Sequence, residues 1–296
     1  MSTVSIYGQG PLQQYGKGGA LMVAAAACLV VNDALCKWLM PQYSAGQIMA
    51  IRGAVMLVIL LGASLASDTV ARGVIFRSKK IHALRAGLIG LSALLFLSGL
   101  SAMPLANAVA LSFTSPLAVA AFSGPMLGER VEAKRWLAIG VGFLGVLLIL
   151  NPSLEHYGAA SVLPVLAGLA IALSDLLTRR MSTHETPVSI SLSTALGTAV
   201  VGGSTFAFGW RWPDQGALIV VAVASIFFLL AYILMAQAFR VAPASYVAPF
   251  RYSALVWSLA IGFVLWGQIP DHIVLVGAIL IIIAGVYLVR AKWTPG

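Results

Sequence analysis

The sequence predicts an all-α integral membrane protein with ten transmembrane helices, arranged as two inverted five-helix repeats around a central cavity. Three observations lead to this prediction. Apolar residues make up 60% of the chain and charged residues only 9%, whereas a soluble domain has about 25% charged residues. Long apolar segments recur along the whole chain, and a set of short motifs recurs at nearly one spacing.

Ten segments are apolar enough to be predicted as spans, because about 20 apolar residues cross the hydrocarbon core of a bilayer. Their predicted bounds are 18–39, 45–66, 82–102, 104–125, 135–150, 160–180, 187–209, 215–238, 243–265 and 271–290. Tight turns are expected before the fourth and ninth segments. Pro104 and Pro243 suit the first turn of the helices that follow.

The basic residues predict the orientation of these spans. Most of the 18 Lys and Arg residues, Arg85 among them, are assigned to one side of the membrane, and Lys37 and Arg211 to the other. Basic loops stay in the cytoplasm, so both termini are expected there, with residues 1–17 as a cytoplasmic tail. This placement predicts a multi-pass protein of the bacterial inner membrane. It also accounts for the net charge of +9 without nucleic acid as a partner.

Residues that carry enzyme chemistry are sparse. Cys28 and Cys36 lie in the first segment, where neither a disulfide nor a zinc site is indicated. The histidines fall at segment ends or in gaps, as seen for His82, His156, His184 and His272. No catalytic residue, metal site or cofactor is therefore predicted. The polar groups within the segments are also too few for a channel.

The chain repeats itself after about 140 residues. Pro104 matches Pro243, and the pair Asp33-x-x-x-Lys37 matches a second pair, Asp175-x-x-x-Arg179. The predicted repeats cover 18–150 and 160–290. Each repeat has an odd number of spans, so the second copy enters the membrane from the opposite side. Such inverted repeats are typical of alternating access.

One pattern crosses the fourth and fifth segments and resembles a known family. It consists of Gly128-Glu129, Trp136, Gly140 and Gly145-Val146. With a proline early in segments four and nine, it resembles the EamA-type exporters of the drug/metabolite transporter superfamily, most of all the bacterial aromatic amino-acid exporters. Gln268 replaces the acid in the second copy, so Glu129 is expected to organise a loop rather than couple transport.

The resemblance implies a function. It implies a secondary carrier without ATP hydrolysis, which exports amino acids of broad specificity or related small metabolites through a cavity between segments 1–4 and 6–9. The implied partners are the small-molecule substrate and the lipid bilayer, and one chain suffices because the two repeats resemble a fused dimer. The alternative is a multidrug or quaternary-amine exporter of the same superfamily, which would require a buried carboxylate without a basic partner.

Polar groups inside the segments are the candidates for the cavity, because a central Asp or Arg costs about 2.5–3.5 kcal/mol in a bilayer. The candidates are Asn32, Asp33, Arg52, Asn107, Thr114, Ser174, Asp175, Gln237, Tyr246, Phe250, Arg251, Ser253 and Trp257.

Each charged candidate has two interpretations. Asp33 and Lys37 share a helix face. Asp33 is either part of a gate or a proton-linked carboxylate, or it forms with Lys37 an ion pair that fixes the helix end. The same alternatives apply to the second copy. Arg52 pairs with Asp33 or binds a substrate carboxylate. Arg251 binds substrate or pairs with Asp175.

The ninth segment has one aromatic face. Tyr246, Phe250, Ser253 and Trp257 are spaced four, three and four residues apart, which places them on one side of a helix. This face forms either an aromatic wall of the cavity or a surface that packs against lipid and other helices.

Overall fold

The computed structural model describes residues 11–66, 76–127, 133–181, 185–241 and 248–290. This part of the chain folds into α-helices joined by 3₁₀ turns and short loops. The helices are α1 (Pro11–Leu39), α2 (Ala45–Ala66), α3 (Lys79–Ala102), α4 (Leu105–Ser112), α5 (Thr114–Leu127), α6 (Ala133–Tyr157), α7 (Val162–Met181), α8 (Pro187–Gly203), α9 (Gln215–Val241), α10 (Ser253–Trp266) and α11 (His272–Arg290). The 3₁₀ turns are Gly158–Ser161, Ser204–Phe208 and Ala248–Tyr252.

Every predicted span overlaps a helical region. Among the described residues, 7 helical segments are long and apolar enough to cross a membrane, and one of them, Leu105–Phe122, includes residues of both α4 and α5. Three shorter apolar helices cover Trp136–Leu150, Phe250–Trp266 and His272–Tyr287. The all-helical membrane fold is therefore confirmed, and the number of ten spans stays a prediction.

The fourth predicted span is not one continuous helix. It divides into α4 and α5 at Phe113, whose backbone N–H donates to the carbonyl of Ala110 at 3.1 Å. Pro116 lies four residues after Ser112 and has no N–H to donate to its carbonyl. The missing hydrogen bond and the steric clash of the proline ring explain the break.

The fifth span continues past its predicted end at residue 150. α6 runs to Tyr157, so the gap expected over residues 151–157 is helical. Gly158 follows with φ of 62°, a left-handed conformation that stops a helix and favours glycine. The prediction was wrong here because polar residues ended the apolar run before the helix ended.

The helices pack in pairs that respect the repeat. α1 packs on α9, and α7, the equivalent of α1, packs on α3, the equivalent of α9. α2 packs on α8, and α6 on α11. The last pair approaches closely, since a Cβ at Gly145 or at Gly277 would lie 2.6 Å from the carbonyl oxygen of the other glycine. This pairing supports two related halves.

The protein is apolar outside and partly polar inside. Val58, Leu137 and Val200 are more than half exposed, whereas Asn32 and Ser174 are fully buried. A soluble protein shows the opposite distribution. The exposed apolar side chains fit a lipid environment, and the buried polar ones indicate where function resides.

Candidate functional site

Arg52 is the centre of a buried polar cluster formed by α1, α2 and α9. Its side chain is 3% exposed, and its NH1 donates to Asn32 Oδ1 at 3.3 Å and to Cys36 Sγ at 3.8 Å. Its Cζ lies 4.7 Å from the centroid of the Phe228 ring. Asn32 also donates to Asp33 Oδ1 at 2.9 Å, and Asp33 lies within electrostatic range of Arg52. We call these five residues the Arg52 cluster.

The guanidinium of Arg52 is incompletely bonded. Its Nε is buried without a hydrogen-bond partner among the described residues. A buried polar group without a partner is costly, and more so when it is charged. A carboxylate would satisfy this donor, because carboxylate and guanidinium geometries match in a bidentate pair.

Arg85 is a second buried cation, near the start of α3. Its side chain is 5% exposed within α3. Nε donates to Thr178 Oγ1 at 2.6 Å, and NH1 donates to Ile190 O at 3.1 Å and to the hydroxyls of Ser193 and Thr194 at 3.0 Å. Hydroxyls of α7 and α8 thus take the place of water around the guanidinium of Arg85.

The two cations are linked through an aromatic pair on α9. Phe228 and Tyr232 lie one helical turn apart, with ring centroids at 4.9 Å. Tyr232 is within electrostatic range of Arg52, Arg85 and Asp175. An aromatic face was predicted in the ninth segment, and this pair was not among the candidates. The i, i+4 spacing of the two rings was the signal that could have indicated it.

Lys37, the base of the first repeated pair, binds the end of α3. Lys37 donates to the carbonyls of Leu100 and Met103 at 2.7 Å, and its ammonium lies 5.8 Å from the Trp266 ring. A cation at the C-terminus of α3 is favourable, so Lys37 fixes helix ends. Asp175 lies in electrostatic range of Arg85.

Several further candidates bond locally. Asn107 donates to Ser153 Oγ at 3.3 Å, which ties α4 to α6. Thr114 donates to Leu111 O, and Ser253 donates to Phe250 O, each at 2.7 Å. Each of these two hydroxyls thus binds a backbone carbonyl of the turn that precedes its helix. By contrast, the buried Oγ of Ser174 has no hydrogen-bond partner among the described residues.

The predicted aromatic face of the ninth segment lies apart from the Arg52 cluster. Phe250 and Trp257 line a groove of about 690 Å³ against α1. We call this the lateral groove, and its α1 wall consists of Gly16, Gly19, Ala20, Val23, Ala24, Ala27 and Cys28.

Gln237 and Arg251 do not join the cluster by direct contact. Gln237 and Arg251 are exposed, although Arg251 lies in electrostatic range of Tyr232. Tyr246 and Glu129 lie outside the described residues. No group of three or more His, Cys, Asp or Glu side chains in the described ranges could hold a metal ion.

Glu185 joins the two halves at one end of the bundle. Its Oε1 accepts from the backbone N–H groups of Arg77 and Ser78 at 3.0 and 2.8 Å, and its Oε2 lies 3.1 Å from His82 Nε2. Burial opposes ionisation of this carboxyl, but the hydrogen bonds from His82, Ser78 and Ser189 outweigh burial and lower its pKa. We call this contact the Glu185 latch.

The equivalent position of the other half forms a second junction. Tyr43 precedes Glu185 by about 140 residues, and its hydroxyl donates to Asp214 Oδ2 at 3.2 Å. Beside it, Gln47 donates to Arg211 O and accepts from the Arg211 N–H. Both junctions therefore attach the second span of one half to the third span of the other.

Comparison with known proteins gives the family. The sequence model of the EamA-like transporter family matches the chain twice, over residues 16–151 and 159–291. The chain belongs to the EamA-like transporter family. The predicted resemblance to EamA-type proteins of the drug/metabolite transporter superfamily is thereby confirmed, and the protein is a multi-pass membrane transporter.

Curated relatives name several substrates. The chain is 32% identical to a riboflavin transporter of Rhizobium johnstonii, over 71% of this chain and 70% of that one. It is 28% identical to an S-adenosylmethionine uptake transporter of Rickettsia bellii, over 72% and 73%. It is 32% identical to a pseudopaline exporter of Pseudomonas aeruginosa, over 64% and 68%.

A solved crystal structure shares the fold. It superposes with a TM-score of 0.62 at 17% sequence identity, covering 92% of this chain and 96% of that chain. At this identity the likeness concerns the fold alone. The names of the three relatives above do not include an amino acid, so the predicted amino-acid substrate is carried forward as a proposal.

Proposed function

We propose that this transporter moves amino acids or related zwitterionic metabolites across the inner membrane by alternating access. One observation carries the proposal: the buried Arg52 keeps an unpartnered donor beside the carboxylate of Asp33. An amino acid presents a carboxylate and an ammonium attached to the same carbon atom. The carboxylate would bind the free side of Arg52, and the ammonium would bind near Asp33.

The electrostatics of the cluster favour such a ligand. An isolated anion or cation would unbalance the charges of Arg52 and Asp33 in a poorly solvated site. A zwitterion supplies both charges together and leaves the site neutral. Phe228 and Tyr232 offer aromatic area to its side chain, which extends the substrate range to larger amino-acid derivatives. The S-adenosylmethionine of the Rickettsia relative contains a methionine portion, which fits this class.

Alternating access follows from two related halves. We place the repeats at 18–150 and 160–290, in opposite orientations, with the 1–17 tail and both termini in the cytoplasm. In that orientation the Glu185 latch lies at the cytoplasmic end, and the second junction, formed by Tyr43 and Asp214, lies at the periplasmic end. Opening one while the other stays closed would expose the Arg52 cluster to one compartment at a time. Export is the proposed direction.

A multidrug or quaternary-amine exporter is the alternative. It would bind a permanent cation and would require a carboxylate without basic neighbours. Asp33 accepts from Asn32 and lies in electrostatic range of Arg52, and Asp175 lies in electrostatic range of Arg85. Both acids have a basic neighbour, which favours the zwitterion.

Counterflow in proteoliposomes tests the proposal. The panel contains L-phenylalanine, L-methionine, S-adenosylmethionine, riboflavin and tetraphenylphosphonium, each with and without a pH gradient. We expect exchange of the zwitterions and loss of that exchange in Asp33→Asn. Asp271→Asn, at an exposed acid, is the matched control and should retain it. Exchange of tetraphenylphosphonium alone would replace the proposal with the cation alternative.

A further inference from the structure

A second polar region lies in the other half of the protein, at positions equivalent to the Arg52 cluster. Three residues of α1 in that cluster have counterparts 142 residues later on α7, namely Ser174 for Asn32, Asp175 for Asp33 and Thr178 for Cys36. Arg85 donates to Thr178 Oγ1 at 2.6 Å and lies in electrostatic range of Asp175. Each half therefore has a buried guanidinium near its copy of the repeated aspartate.

Two hydroxyls in this region have unused hydrogen-bonding capacity. The buried Oγ of Ser174, next to Asp175 in the chain, has no partner among the described residues. Tyr232 is partly buried, and its hydroxyl makes no hydrogen bond to another residue in the part of the chain that the structure describes. Buried serine and tyrosine hydroxyls are usually bonded, because an unmade hydrogen bond costs free energy. A bound polar group would supply the missing partner.

The hydroxyl of Tyr232 faces the interior of the bundle and not the lipid. Charged side chains of four other elements lie within electrostatic range of it, namely Asp175 of α7, Arg85 of α3, Arg52 of α2 and Arg251 of the 3₁₀ turn Ala248–Tyr252. α9 packs on α1 and α2, whereas α7 packs on α3, α4 and α5. Tyr232 and Asp175 therefore approach each other from helices that have different packing partners, and they border the interior between α7 and α9.

An aromatic pair connects this region to the Arg52 cluster. Arg52 Cζ lies 4.7 Å from the centroid of the Phe228 ring, and that centroid lies 4.9 Å from the centroid of the Tyr232 ring. Phe228 and Tyr232 are one helical turn apart, so they are neighbours on one face of α9. A ligand whose carboxylate binds Arg52 and whose side chain lies along Phe228 therefore has its far end beside Tyr232.

We propose that Asp175 and Tyr232 form a distal subsite, which binds a neutral hydrogen-bonding group at the end of the substrate side chain. The inference rests on the proposed function, because the Arg52 cluster holds the amino-acid end of the same molecule. A hydroxyl or a primary amide both donates and accepts, so it can donate to the carboxylate of Asp175 and accept from the hydroxyl of Tyr232.

The charges of the subsite favour a neutral group. Arg85 lies in electrostatic range of Asp175, so the subsite already contains a charge of each sign. An additional ammonium or carboxylate would leave one charge unbalanced in a poorly solvated site. The substrate class is therefore an amino acid or derivative with a long side chain that ends in a hydroxyl or an amide.

Two amino acids that differ by one hydroxyl test the subsite. Counterflow of L-tyrosine and of L-phenylalanine is measured with the full chain in proteoliposomes, and the readout is the ratio of their initial rates at one subsaturating concentration. We expect the wild type to prefer L-tyrosine about tenfold, because its hydroxyl is bonded in the subsite. Tyr232→Phe deletes one hydroxyl and should bring the ratio close to one without changing L-phenylalanine exchange. Tyr287→Phe, at an exposed tyrosine of α11, is the matched control and should keep the wild-type ratio.

A second variant distinguishes the two repeated acids. Asp175→Asn keeps the size of the side chain and removes the charge from its hydrogen bond to the substrate hydroxyl. We expect the folded variant to exchange L-phenylalanine and to lose about fivefold of the preference for L-tyrosine, since hydrogen bonds to charged groups are the stronger ones. Asp33→Asn, by contrast, should stop the exchange of both amino acids. An unchanged ratio in either Tyr232→Phe or Asp175→Asn would overturn the subsite.

A third ligand tests the preference for a neutral group. 4-Aminomethyl-L-phenylalanine carries an ammonium at the end of its side chain. We expect the wild type to exchange it more slowly than L-tyrosine, and faster exchange would overturn the assignment of a neutral group.

The outcomes distinguish the subsite from the proposed function. Equal exchange of L-tyrosine and L-phenylalanine by the wild type would overturn the subsite and leave the zwitterion site standing. Loss of L-phenylalanine exchange in folded Tyr232→Phe would also overturn it, because the hydroxyl would then serve the Arg52 cluster. If the wild type exchanged neither amino acid, the proposed function would fail and the subsite with it.

Discussion

Arg52 and Arg85 are both buried guanidinium groups in apolar helices, yet their surroundings differ. Arg85 donates to oxygens of three α8 residues and to Thr178 of α7. Arg52 has two longer contacts, to Asn32 and Cys36, and an unpartnered Nε within the described structure. The cost of burying a cation is offset by the protein at Arg85 and only partly at Arg52. Arg85 therefore holds helices together, whereas Arg52 retains a free donor for a ligand.

The largest expected effect is on stability, from removing the structural cation. Arg85→Gln leaves the hydroxyls of α7 and α8 without their shared donor, and we expect a loss of about 3–5 kcal/mol in the free energy of unfolding. Thermal unfolding of purified protein in detergent measures it. An unfolding temperature equal to that of the wild type would show that Arg85 does not hold the helices together.

Arg52→Gln should have the opposite profile. We expect the rate of amino-acid counterflow to fall about 100-fold, equivalent to about 2.7 kcal/mol, while the unfolding temperature stays close to the wild-type value. Arg251→Gln, at an exposed arginine, is the matched control. If Arg52→Gln instead unfolded like Arg85→Gln and its folded fraction still transported, Arg52 would be structural.

The Glu185 latch predicts a smaller loss. Glu185→Gln removes the charge that faces His82 and weakens two bonds to the backbone before α3. We expect a loss of about 1–2 kcal/mol at neutral pH, as for a helix cap. Glu155→Gln, at an exposed acid, should have no measurable effect on the same unfolding curve.

The latch also gives the sign of a pH effect. The pKa of Glu185 lies below its ordinary value of 4.5 in the folded protein. A depressed carboxyl pKa contributes stability that is present above 4.5 and is lost as the pH falls through the folded pKa. The stability difference between wild type and Glu185→Gln should therefore shrink below pH 4.5. A difference that grows on acidification would contradict this assignment.

The smallest expected effect comes from removing one hydrogen-bond acceptor of Arg85. Ser193→Ala removes one of several acceptors of the guanidinium, and the other oxygens remain in place. We expect a loss of about 0.5–1 kcal/mol in unfolding free energy, the net value of one hydrogen bond. Ser64→Ala, at a serine of α2 remote from this contact, is the control for the hydroxyl deletion. A loss as large as that of Arg85→Gln would show that Ser193 alone determines the position of the arginine.

Hydropathy located the helices well, because a bilayer demands long apolar segments whatever their partners are. The break at Phe113 could be anticipated from Pro116, since its effect is local. The burial of Arg85 could not, because its partners Thr178 and Ser193 lie about 100 residues away in sequence. Its position near the start of an apolar run suited a loop residue equally well.

The aromatic pair Phe228 and Tyr232 was missed for a related reason. Helices that are apolar on all sides give no periodic signal for the face that looks inward. Phe228 and Tyr232 face the arginines because α9 packs on α1, a contact between distant parts of the chain. Phe250 and Trp257, which have the predicted spacing, line the lateral groove.

We propose that Arg52 binds a substrate carboxylate, and two ligands that differ in this group test the proposal directly. Counterflow of L-phenylalanine is compared with that of L-phenylalaninamide, which keeps the ring and ammonium and lacks the carboxylate, in wild type and Arg52→Gln. We expect the wild type to prefer the acid by about 100-fold and Arg52→Gln to lose this preference. Equal transport of acid and amide by the wild type, or an undiminished preference in Arg52→Gln, would contradict it.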